Sequence, residues 1–181
     1  MKRSAPLLLA LALAMPALAH DDHKHGHKHP HQHAHVHGQA ELKVAVDGGR
    51  LDLRLESPLE AVLGFEHAPR NDKERAAVAS LRKTLAVGEQ LFAPTTAAGC
   101  KLAETRVISD VLDGKPGAGE DGHGDVVAEY RFACAQPDKL TGLEARLFSN
   151  FPKLRRLDVQ VVSGKGQTAR RLTPRMRLLS W

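Results

Sequence analysis

Aromatic side chains are scarce in this 181-residue chain, which has five Phe, one Tyr and one Trp. Its basic residues are dispersed, so no basic-aromatic module is present and the pI of about 9.4 does not point to nucleic acid. Catalytic signatures are missing as well. There is no H-E-x-x-H helix and no G-x-S-x-G elbow, which leaves a zinc protease or a serine hydrolase without its usual residues. A metallohydrolase with Glu66 as general base is the weakest reading, because catalytic zinc needs a preformed site with an open position. No apolar run approaches the roughly 20 residues of a membrane-spanning helix. Cysteine is limited to Cys100 and Cys134, with no close pair of the kind that cysteine zinc sites use.

What is present begins at the first residues. Met1, Lys2 and Arg3 precede an apolar stretch over 7–15 and then Ala17-Leu18-Ala19, the order of a secretory signal peptide with cleavage after Ala19. A membrane anchor is the rival reading, and the apolar core is too short for one. Cleavage removes Lys2 and Arg3, so 162 residues remain with a formal charge of +3. The expectation is an exported, periplasmic protein of one soluble domain, with 42 % apolar residues to build its core. In such a protein two cysteines are expected to join as a disulfide, a two-cysteine metal site being the competitor.

Patterning organises the rest. Residues 20–33 are almost all polar and have no face to bury, so they are expected to be disordered without metal. From Ala34 onward apolar and polar residues alternate through Val46, Asp47-Gly48-Gly49 turns the chain, and Leu51, Leu53 and Leu55 alternate back, which predicts a β-hairpin. Ser57-Pro58 reads as an N-cap and first helical residue of a short helix through Leu63. A longer helix is expected from Asn71 or Asp72, with Ala77, Val78, Leu81 and Leu85 as its apolar stripe. Strands over 100–112 and 126–134 flank a Gly-rich loop over 114–124 and pair as a second hairpin. Leu140, Leu143 and Leu147 suggest a second main helix over 137–148, and strands over 156–162 and 172–179 close a third hairpin. The predicted fold is α+β: an antiparallel sheet built of hairpins with two main helices packed on one face, the domain covering 34–181 after the disordered arm.

The chemistry is concentrated in histidine. Nine of eleven histidines fall between His20 and His37, and His23, His25, His27, His29, His31, His33, His35 and His37 recur at every second residue. Neutral imidazole is the commonest protein ligand for zinc, copper and nickel, and three or four from one flexible segment suit a tetrahedral ion. An expression tag would be a consecutive run, and an idle low-complexity linker is the other bland alternative. His35 and His37 fall at the start of the expected first strand, where a period of two aims both at one face. After cleavage His20 would be N-terminal, and its α-amine and imidazole together suit copper(II). Two histidines stand apart. His67 follows Phe65-Glu66, where it is either a packed residue or a ligand, and His123 lies in the Gly-rich loop, where it is either solvated or a ligand. With Glu66 beside them, one or both would complete a folded site.

These residues resemble the ZrgA family of periplasmic zinc-uptake proteins. The resemblance rests on His35-x-His37-Gly38 leading into Ala40-x-Leu42-x-Val44, on Ser57-Pro58, on Gly64-Phe65-Glu66-His67-Ala68-Pro69, and on His123-x-Asp125 before Tyr130-x-Phe132-x-Cys134. Val126 stands where an aromatic is expected. The resemblance implies zinc handling without catalysis, and significance for His35, His37, His67 and His123. The expected role is to capture or buffer zinc and assist an importer as an accessory chaperone. Copper or nickel sequestration uses the same ligands and stays open, since copper(II) outbinds zinc at most nitrogen sites.

Overall fold

A computed structural model describes residues 36–117 and 124–181. The expected signal peptide over 1–19, the arm over 20–33, His35, His123 and part of the Gly-rich loop lie outside the described residues.

Strands β1 (Gln39–Asp47) and β2 (Arg50–Pro58) form the expected hairpin. Alternation sets its two faces: Ala40, Leu42, Val44, Leu51, Leu53 and Leu55 are buried, while Lys43, Asp52, Arg54 and Glu56 point outward. Burying each of those leucines contributes roughly 1.5 to 3 kcal/mol. The strand does not reach back through His37 as expected. Gly38 takes φ +73°, a left-handed turn that interrupts the extended run, and β1 begins after it at Gln39. Short helix α1 (Leu59–Val62) follows β2 directly. Ser57 is the buried penultimate residue of β2 and its hydroxyl donates to the Pro58 carbonyl, so it does not cap the helix.

Helix α2 (Asp72–Ala86) carries the expected stripe, with Val78, Leu81 and Leu85 buried. Its start is a reciprocal cap: Asn71 Oδ1 accepts from the Glu74 N–H at 2.9 Å, and Glu74 Oε2 accepts from the Arg70 N–H at 2.7 Å. A further turn of helix, α3 (Gly88–Leu91), leads into β3 (Phe92–Pro94). Strands β4 (Cys100–Ile108) and β5 (Asp125–Cys134) pair antiparallel, with Val126, Ala128, Tyr130, Phe132 and Cys134 buried as the alternation predicts. Tyr130 ties the sheet to α2, donating its hydroxyl to the Leu85 carbonyl at 2.9 Å, and burial raises its pKa.

The second main helix expected over 137–148 does not form. That stretch is a 3₁₀ turn at Pro137–Lys139, strand β6 (Gly142–Ala145) and helix α4 (Leu147–Asn150). Leu140, Leu143 and Leu147 are all buried, but Leu140 follows the 3₁₀ turn, Leu143 lies in β6 and Leu147 opens α4, so helical spacing arose without a helix. Gly142 is a weak helix former, and as a strand residue it lets the Leu179 carbonyl approach where a Cβ would collide.

Strands β7 (Arg156–Ser163) and β8 (Gly166–Leu172) make the third hairpin, and β9 (Leu178–Ser180) leaves it to pair with β6. The large sheet runs β4-β5-β2-β1-β7-β8 and the small one β3-β6-β9. The all-antiparallel expectation fails at one seam: β7 lies parallel to β1, Gln39 opposite Arg156, because the chain crosses over through β6 and α4 before entering the sheet. Cys100 and Cys134 are directly opposite in the β4–β5 register and form the expected disulfide.

Candidate metal centre

Register brings the separated histidine motifs to one end of the large sheet. There β1 starts at Gln39, β2 ends at Pro58 opposite Asp125, and β7 starts at Arg156. His37, the residue two before β1, is exposed in the turn that Gly38 makes. The Gly38 N–H donates to Glu60 Oε2 at 3.3 Å, and its carbonyl accepts from the Arg155 and Arg156 N–H groups at 2.7 and 3.1 Å. A Cβ here would fall 2.8 Å from the Lys153 carbonyl oxygen, so glycine is required twice over, by φ and by space. His37 is thereby held within one residue of the Glu60 carboxylate.

The segment that follows His123 enters the same end. The Gly124 carbonyl accepts from the Leu59 N–H at 2.9 Å, and a Cβ on Gly124 would fall 2.8 Å from the Glu66 carbonyl oxygen. Gly124 is therefore wedged between α1 and the 64–69 segment. His123 itself is outside the described residues.

His67 is the best-defined ligand candidate. Its ring stacks on Phe65 with centroids 5.0 Å apart, as the packed reading expected. Its Nδ1 lies 2.9 Å from the Ala68 carbonyl oxygen. A carbonyl only accepts, so in that contact Nδ1 carries the hydrogen, and the neutral ring keeps a lone pair on Nε2. Glu74 Oε2 stands 4.0 Å from the same Nδ1. The Glu74 carboxyl is held below its ordinary pKa, first by the Arg70 backbone N–H, with desolvation opposing and the Asn71 amide and His67 assisting. A histidine with Nδ1 on a carbonyl and a carboxylate nearby is the usual surrounding of a metal-binding Nε2.

Sequence reasoning missed Glu60 and Glu74. The pattern Asn71-x-x-Glu74 is a readable capping signal, whereas nothing in the sequence links Glu60 to His37. Among the described residues no three His, Cys, Asp or Glu side chains stand close enough to hold one ion, and none of those residues forms a helix long and apolar enough to cross a membrane.

Residues 34–181 match the family model described as "ZrgA family zinc uptake protein". No curated protein matches the chain.

Proposed function

The chain belongs to the ZrgA family of zinc uptake proteins, and from that premise we propose that it binds zinc in the periplasm and assists zinc uptake. Export by the signal peptide over 1–19 leaves a His-rich arm over 20–33 ahead of one domain. The arm captures or buffers zinc through His20, His23, His25, His27, His29, His31 and His33. The domain holds a further ion through His67 Nε2, with His37, exposed before β1, and the sequence motifs' His35 and His123 as its further ligands. The protein is an accessory chaperone to an importer and not an enzyme. The observation that carries the folded site is the orientation of His67, whose Nδ1 faces a carbonyl and leaves Nε2 for a ligand.

Zinc titration of the chain from His20 onward tests this, beside a version lacking residues 20–33 and that version with His67→Ala. More than one zinc per chain is expected, since the arm alone holds imidazoles for one or two tetrahedral ions. The truncated chain should keep a single site, and His67→Ala should weaken it. A truncated chain that binds no zinc would remove the folded site. Copper saturating the same sites with no zinc retained in the purified periplasmic protein would favour sequestration of copper.

A further inference from the structure

Charge is unevenly shared along the chain. Residues 153–181 carry eight Lys and Arg against one acid, Asp158, a formal +7, while residues 20–152 carry sixteen against twenty, a formal −4. On the outer face of the large sheet opposite charges cancel locally. Arg131 pairs with Asp52 and Glu104, and Arg54 with Glu56 and Glu129, around a shallow depression of about 420 Å³. That face is a closed ladder of ion pairs and presents no unbalanced charge.

The C-terminal corner is different. Among the described residues Arg155, Arg170, Arg175 and Arg177 have no carboxylate partner; Arg170 reaches the Ala169 carbonyl, and Arg177 the Pro174 carbonyl and Ser149 hydroxyl. Strand β8 is the edge of the large sheet and β9 the edge of the small one. The chain turns between them at the Thr173–Met176 bridge, and Lys165 Nζ reaches the Trp181 main-chain oxygen at 3.3 Å, so β9 returns along β8. Leu178 thus lies beside the second half of β8, on the edge that carries Arg170. It is 79 % exposed and Met176 is 61 % exposed, the two most exposed large apolar residues described. In sequence they alternate with arginine: Arg175, Met176, Arg177, Leu178.

We propose that this corner docks reversibly on a membrane surface of anionic phospholipid. The guanidinium groups suit lipid phosphates, and the flexible Met176 and Leu178 side chains suit the acyl boundary just beneath them. Apolar and cationic side chains interleaved at an edge match a fluid interface, where phosphate and hydrocarbon lie within a few ångströms of each other. A folded acidic partner would match the charge but leave Leu178 and Met176 unexplained. The corner also stands at the metal end of the sheet, since β7 begins at Arg156 beside Gln39 and β8 ends at Leu172 beside Leu157. Docking turns that end toward the membrane.

The inference does not rest on zinc, and its test is run with chelator present so that the two readings fail separately. The chain from His20 onward is floated at pH 8 with vesicles of phosphatidylcholine alone and with equimolar phosphatidylglycerol. Binding is expected only to the anionic vesicles, with loss at about 0.5 M salt, where the screening length is about 4 Å. Each basic group lost from such a surface weakens binding roughly fivefold, about 1 kcal/mol, so Arg170→Glu with Arg175→Glu should weaken it at least roughly twentyfold. Lys83→Glu with Lys101→Glu makes the same change in net charge elsewhere and should leave most binding intact. Leu178→Ser should weaken binding several-fold without altering its salt dependence. Equal binding to both vesicles, no binding to either, or equal losses in the two charge-reversed variants would each overturn the proposal, as would an acidic protein captured by the corner while vesicles are ignored.

Discussion

The two ends of the large sheet are closed by different chemistry. At one end Cys134 and Cys100 are joined covalently, and the Cys134 N–H donates to the Gly49 carbonyl at 2.7 Å, so β4, β5 and the β1–β2 turn are stapled together. At the other end, about 30 Å away along a ten-residue strand, the incoming segments meet through non-covalent contacts: Gly38 with Glu60, Arg155 and Arg156, Leu59 with Gly124, and Lys153 with the Gly64 carbonyl and Glu60. His37 precedes β1 at this second end, and the Glu66 carbonyl packs there against Gly124. The staple holds β4 and β5 in register at its end, and the other end carries the candidate ligand His37 in the turn before β1.

The largest expected effect breaks the staple. Cys100→Ser with Cys134→Ser opens a 34-residue loop and should cost about 3 to 4 kcal/mol of stability in the chain-entropy account. If the two ends are independent, zinc affinity of the folded site at a temperature where the variant is still native should stay within about twofold. Denaturant melts and zinc titrations on the same samples check both halves.

At the end that carries His37, the contrast can be tested through the cap of α2. Glu74 Oε2 stands 4.0 Å from His67 Nδ1, beyond a hydrogen bond, so it acts on the ring through charge alone, and Glu74→Gln should weaken the folded zinc site by about two- to fivefold, the range of a part-exposed charge pair. Asn71→Ala, three residues away in the same cap, should instead cost about 1 kcal/mol of stability with little change in zinc affinity. Equal effects of the two substitutions on zinc would mean that Glu74 acts only as a cap.

How much of this was legible in the sequence depended on the length of each pattern. The nine-residue alternations of β1 and β2, the ten of β5 and the stripe Val78, Leu81, Leu85 announced themselves because burial repeats often enough to fix a period. Strands β3, β6 and β9 have three or four residues each, too few for a period, and the leucines around β6 imitated a helix. His67 was visible within the Gly64–Pro69 motif. Glu60 was not, because only the β1–β2 pairing carries residue 38 to residue 60, and the direction of β7 was not, because a long crossover admits either one.

The smallest predicted effect concerns the outer face between the two ends. Burial pushes the Glu56 carboxyl up, but hydrogen bonds and charge from Lys43 and Arg54 outweigh it, and its pKa falls below the ordinary 4.5. A carboxyl whose pKa is depressed by folding contributes stability above its unfolded pKa and loses it as pH falls through the folded value. Wild type should therefore melt above Glu56→Gln at neutral pH, with the gap shrinking from about pH 5 downward and closing once the carboxyl is protonated in both states. Solvent screening of this part-exposed group keeps the gap small. Thermal melts of both proteins between pH 7 and about pH 3 measure it. A gap that holds constant across that range would assign the effect of Glu56 to its hydrogen bonds as a neutral group and not to its charge, leaving the ladder between the two ends without an electrostatic share in stability.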